Sequence, residues 1–278
     1  MIRKGIFFVL VFCFLGCHKQ QKLQASLPPT LSKNQVINTY LKEGAWNYHY
    51  LDKRFTQWVD KAIAKDSTIA YLWQQKALPL WKQHKYEEAI HYYEKAIALD
   101  PEQWLSRLGY LKCIFAKNYT SALEDLDAYI KTYGSTYEQD HALEVYQAIC
   151  HLQLGNYNIS LTLLQKEISI QEAEHGEDWV HYLDRFYLAI AYMELKQYAN
   201  AIIEFDQALK VYPNFSDIQF YKAICHHKLG DSRTANRLAI QGQRNYELGR
   251  SFSEDASKYV DYPYQVTWQW DALEALLK

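Results

Sequence analysis

The stretch that most constrains this chain is Ala70 to Gln103, AYLWQQKALPLWKQHKYEEAIHYYEKAIALDPEQ, in which small and aromatic residues recur at helical spacings on either side of a short polar break. Trp73 and Ala77 lie one turn apart in a first helix, and Tyr86, Ala89, Tyr93 and Ala96 mark a second. Pro101 ends the unit because it has no N–H to donate. The alanines let two helix backbones approach, and the rings fill the remaining gaps. A hairpin of this size cannot bury its apolar faces alone, so similar neighbours are required.

The sequence supplies them. Upstream, Lys61-Ala-Ile-Ala-Lys-Asp-Ser67 aligns with Lys95-Ala-Ile-Ala-Leu-Asp-Pro101, which defines a degenerate unit over Val36 to Ile69 with Phe55 at the small-residue position and Gly44 in its first helix. Downstream, Tyr86 recurs as Tyr119, Tyr157 and Tyr198, and a Tyr-x-Ala-Ile register opens first helices at Tyr146, Tyr187 and Tyr221. The landmark spacing lengthens near Thr132 to Asp140 and again near Gln171 to Asp178, so two connectors carry extra residues. Plain surface loops are the expectation there, although insertions on one face of a repeat array are also where function is added.

This pattern resembles the tetratricopeptide repeat (TPR). The resemblance implies an all-α fold, a right-handed TPR superhelix (α-solenoid) of about six helical hairpins over residues 36–249, followed by a non-repeat capping segment over 250–278. It also implies that the first helices line a concave groove. Carried over position by position, Val145, Ile149, Leu152, Phe186, Ile190, Met193, Phe220, Ile224 and His227 point inward. Most are apolar, and the Lys/Arg/Asn set of carboxylate-clamping TPR modules is missing. The expectation is a groove that holds a partner's peptide segment, with buried area contributing roughly 25 cal/mol per Å²; packing between repeats or under the tail is the alternative. The tail itself contains Tyr262-Pro-Tyr264, which cannot be helical throughout. A cap is the simpler expectation, and a YPYQV segment folded back into the groove is the sharper one.

Met1 to Cys17 reads MIRKGIFFVLVFCFLGC, a basic start (Arg3, Lys4) and an apolar run from Ile6 to Leu15 ending at Gly16-Cys17. The run is too short for a bilayer core that needs ~20 residues. It resembles a bacterial lipoprotein signal, which implies removal of residues 1–16, lipidation of Cys17 and a membrane contact through that anchor. Residues 17–35 then read as a polar tether. His18-Lys19 has no retaining Asp, and no acidic cluster follows, so the expected location is the outer membrane, facing the periplasm.

Little else carries chemistry. With 30 basic and 32 acidic residues and no basic block, the chain has nothing to track a phosphate backbone, so nucleic acid is not an expected partner. Cys113, Cys150 and Cys225 fall at packing positions, His151 and His226 share a repeat position with Tyr192, and no ligand spacing of a known metal set occurs around His175 and His181. No nucleophile elbow or phosphate loop is present. The expected function is a non-enzymatic scaffold or adaptor with no cofactor, metal or small-molecule substrate, binding an envelope protein or peptide. By resemblance its roles include barrel assembly, scaffolding of cell-wall hydrolases and pilus biogenesis; an inhibitor or immunity protein occluding one toxin or envelope enzyme is the alternative. Cys17→Ala is expected to move the mature chain from the membrane pellet to the soluble fraction, as fractionation and immunoblotting would record.

Overall fold

The computed structural model describes residues 31–277, so the expected signal, Cys17 and the tether up to residue 30 lie outside the described residues. The last part of the expected tether is already helical. Ser32 forms a capping box, its Oγ accepting from Gln35 N (3.3 Å) and its own N–H donating to Gln35 Oε1 (2.8 Å).

Six antiparallel hairpins follow one another. The first pairs α1 (Lys33–Val36), extended by a π turn over Ile37–Lys42, with α2 (Lys53–Lys65); the second pairs α3 (Ala70–Lys82) with α4 (Tyr86–Leu99). The third joins α5 (Pro101–Leu111), which runs on as a π turn over Lys112–Ala116, to α6 (Tyr119–Tyr133). Then come α7 (Leu143–Gln153) with α8 (Tyr157–His175), α9 (Tyr182–Glu194) with α10 (Tyr198–Val211), and α11 (Ser216–Lys228) with α12 (Ser232–Glu247). A last helix, α13 (Trp270–Leu277), lies on α11 and α12. The first helices α5, α7, α9 and α11 also touch in series, which makes them the inner layer of the superhelix.

Each tyrosine landmark is the first residue of a second helix, and the reason lies two residues earlier. His84, Lys117, Gly155, Lys196 and Gly230 all adopt positive φ, between 55° and 86°. The left-handed residue closes the first helix with a long backward bond, from Lys85 N to Leu80 O, Asn156 N to His151 O, Gln197 N to Tyr192 O and Asp231 N to His226 O. In the third hairpin the bond runs from Asn118 N to Lys112 O, one residue longer because of the π turn.

The packing is alanine-based, as the repeat required. Ala77, Ala89, Ala96, Ala122, Ala201 and Ala208 are fully buried at the helix crossings. Gly109 in α5 makes the same approach without a Cβ, since one would come within 2.8 Å of the Leu126 side chain. The main core runs from Ala77 to Tyr262 without a break, with smaller clusters under the first hairpin and between α11, α12 and α13.

The two insertions are more ordered than surface loops. The first forms a β-ribbon, β1 (Tyr137–Glu138) against β2 (His141–Ala142), turned by Gln139 and Asp140 at positive φ. The second prolongs α8 to His175 and adds a 3₁₀ turn over Glu177–Trp179 after Gly176. Lys196 is exposed and holds a left-handed conformation that disfavours a Cβ by roughly 1–2 kcal/mol. Lys196→Gly is therefore expected to stabilise the domain by about 0.5–1 kcal/mol after the extra chain entropy of glycine is subtracted, as measured by chemical denaturation.

Candidate functional site

The chain lays its own tail along the inner layer of first helices. Beyond α12 the backbone turns back along the inner layer. Phe252 packs edge-on against Phe186 and Phe215, with centroids 5.7 and 5.2 Å away, and Tyr182 Oη donates to Glu254 Oε1 at 3.2 Å. The segment reaches the N-terminal hairpins at Tyr259, whose ring lies 3.5 Å from Lys82 Nζ and whose hydroxyl is 3.0 Å from Tyr50 Oη. It then returns. Tyr187 Oη donates to Pro263 O (3.1 Å), Tyr221 Oη donates to Tyr264 O (2.9 Å), and Tyr264 Oη donates to Glu194 Oε1 (3.0 Å). Trp270 finally packs edge-on against Phe220 and at a tilt against Tyr246, and α13 covers the open end of the array. The two readings of the tail are thus both realised, by different parts of it.

The nine inward positions serve this packing. Val145, Ile149 and Leu152 on α7, Phe186 and Ile190 on α9, and Phe220 on α11 are buried; Met193, Ile224 and His227 are half-buried. Of these, Phe186 meets Phe252 of the tail and Phe220 meets Trp270. An incoming segment would meet them only where the tail is displaced.

Asp217, buried at the start of α11, ties the two ends of the returning segment together. Its Oδ1 accepts from Val266 N (2.6 Å), and its Oδ2 accepts from Ser251 Oγ (2.8 Å) and Ser216 Oγ (2.9 Å). Burial pushes its pKa up to about 6, although these hydrogen bonds pull the other way.

An open cleft lies where the two insertions meet. It has a volume of about 680 Å³ and is lined by Tyr137, Gln139 and Asp140 from the ribbon and by Gln171, Glu174, His175, Trp179 and His181 from the second insertion. Trp179 is 68% exposed and Tyr137 58% exposed, on opposite insertions. Ion pairs with one buried partner each hold both in place. Glu138 accepts from Ser106 Oγ (2.7 Å) and meets Arg107 Nε at 2.8 Å, while the buried Arg185 holds Glu172 (2.7 Å) and Glu204 (3.2 Å).

Beneath the cleft is a polar cluster. His141 Nδ1 lies 2.6 Å from Asp184 Oδ1, Gln171 Nε2 donates to Asp184 Oδ2 at 3.1 Å, and the His181 ring stands edge-on to His141 with centroids 4.6 Å apart. Burial opposes charge on both His141 and Asp184, yet each favours the ionised form of the other, so the His141 pKa is raised and that of Asp184 is lowered. His181 is pushed down to about 4, first by burial and then by the neighbouring His141. Sequence reasoning passed over His141 and Asp184. The available signal was the charged pair Asp184-Arg185 inside an otherwise apolar run from Tyr182 to Ala191, every residue of which is buried.

The repeat units match a known family at two places. Residues 70–103, which form α3 and α4, and residues 184–215, which form most of α9 and α10, match the tetratricopeptide repeat. This chain carries tetratricopeptide repeats. Its fold is shared with PilW, described as a widely conserved type IV pilus biogenesis factor, at a TM-score of 0.62 and 17% identity over 77% of this chain and 95% of that one. MamA from Desulfovibrio magneticus RS-1 gives a TM-score of 0.54 at 15% identity, covering 66% of this chain and 97% of that one. YrrB, a TPR protein with an unusual peptide-binding site, gives 0.50 at 16%, covering 68% and 92%. No curated protein sequence matches. What these neighbours share with this chain is the fold of a TPR array.

The raised pKa of Asp217 sets a pH dependence. The fold favours its protonated form, so its contribution is complete below the ordinary carboxylate range and is lost as pH rises through about 6. Asp217→Asn stays neutral at every pH and can keep the same partners with its serine hydroxyls reversed. It is expected to remove the loss of stability that Asp217 contributes between pH 5 and 7, roughly 1 kcal/mol, as thermal melts across that range would record.

Proposed function

We propose that this protein is a non-catalytic adaptor of the cell envelope, anchored by a lipid on Cys17 in the outer membrane and facing the periplasm, that captures a segment of a partner protein in the cleft between its two insertions. The observation that carries the choice of site is the tail: it fills the concave groove and leaves the insertion cleft open, with two exposed aromatic rings above a fixed polar floor. Exposed Trp and Tyr on a rigid support are the residue types that dominate binding energy at interfaces. The lining holds Asp140 and Glu174 and no lysine or arginine, which favours a partner segment presenting an apolar or aromatic side chain beside a basic one. The shared fold with a pilus biogenesis factor and with a peptide-binding TPR protein supports protein capture as the task.

Cross-linked pull-down from native envelopes tests the site. Trp179→Ala and Tyr137→Ala remove mostly exposed side chains, so the variants are expected to fold as the wild type does and to lose roughly 30-fold in recovery of the partner, the effect of about 2 kcal/mol at an aromatic anchor. Unchanged recovery would move the contact away from the cleft.

A further inference from the structure

We propose that His141, His181 and Asp184 form a binding site for a divalent transition-metal ion of the Zn²⁺ kind at the floor of the insertion cleft. The three residues come from separate places in the chain: His141 from β2, His181 from the residue capping α9, and Asp184 from the first turn of α9. One donor atom of each lies within 4.8 Å of the other two. Two imidazoles and a carboxylate are a donor set suited to zinc and its neighbours, and three protein ligands leave a coordination position free.

The surroundings are arranged as they are around bound ions. His141 and Asp184 are nine-tenths or more buried, so their positions are held by packing. Gln171 donates to the Asp184 oxygen that does not face His141, which orients the carboxylate as an outer-shell partner would. A buried carboxylate calls for a hydrogen-bond donor or a positive charge beside it, and His141 Nδ1, 2.6 Å from Asp184 Oδ1, holds that place through the proton between them. An ion replaces that proton. Ligand atoms around a tetrahedral zinc stand about 3.3 Å apart for bonds of ~2.0–2.1 Å, so the pair parts by roughly 0.7 Å to admit one. His181 and Gln171 line the cleft, and the ion's free position therefore faces solvent and any docked segment. Asp140 and Glu174 add negative charge on the approach.

The test is made on tag-free, chelator-treated protein with the metal alone, without a partner, so its outcome is independent of the capture reading. Titration with ZnCl₂ by calorimetry is expected to show one equivalent bound, and Co²⁺ is expected to give the visible absorption of a low-symmetry site with nitrogen and oxygen ligands. His181→Asn removes an imidazole yet keeps a residue that caps a helix well. It is expected to weaken Zn²⁺ binding at least tenfold while the circular dichroism stays that of the wild type. His226→Ala, which alters a histidine paired with Asp231 at the distant α11–α12 turn, is expected to bind as the wild type does. Absence of stoichiometric binding, or equal affinity in His181→Asn and wild type, would overturn the site. X-ray absorption of the zinc-loaded wild type, expected to show two imidazole ligands, decides the same question if the variant does not fold.

Discussion

Everything in this structure depends on a shortage of apolar cover within each hairpin. Two helices of about a dozen residues expose a face that neither can shelter, and the only cover that preserves the backbone geometry is another hairpin of the same shape. The alanines at the crossings make that stacking close, and the left-handed residue before the second helix of the last five hairpins makes it repeat. Where glycine holds that position the turn is unstrained; His84, Lys117 and Lys196 hold the same left-handed conformation with a Cβ.

An array built this way has an unsatisfied end and an unfilled inner surface. The C-terminal segment answers both. Its two halves use different chemistry, since α13 adds apolar area through Trp270, Leu273 and Leu277, whereas the strap before it combines buried Phe252 and Tyr262 with hydroxyl donors from the helices. Tyr187 and Tyr221 reach the carbonyls of Pro263 and Tyr264, and Asp217 takes the amide of Val266. The abundance of tyrosine, 24 residues in the chain, then has a physical role: a ring that packs like phenylalanine and ends in a group able to satisfy an extended backbone.

The fold was legible because its signals are periodic. Tyr86, Tyr119, Tyr157 and Tyr198 mark helix starts, and the two connectors that break the period are the segments that become the ribbon and the extension of α8. What the insertions build was not legible. His141 and Asp184 are 43 positions apart, and no local pattern relates them; only the stacking of α7 beside α9 places the ribbon over the start of the latter. The inward positions carried over from the repeat lie on α7, α9 and α11. That the tail would lie on them could be posed from YPYQV but not decided, because the competing surfaces, a partner's segment and the chain's own, are chemically alike.

The contact between Tyr50 and Tyr259 joins the first hairpin to a segment 209 positions further along. A repeat array ordinarily behaves as a spring, each unit feeling only its neighbours, able to stretch, twist and fray from either end. A strap running its length and back converts the spring into a closed loop. Bending at any joint must then strain the whole, so shape and cooperativity become properties of the entire molecule rather than of successive pairs of repeats.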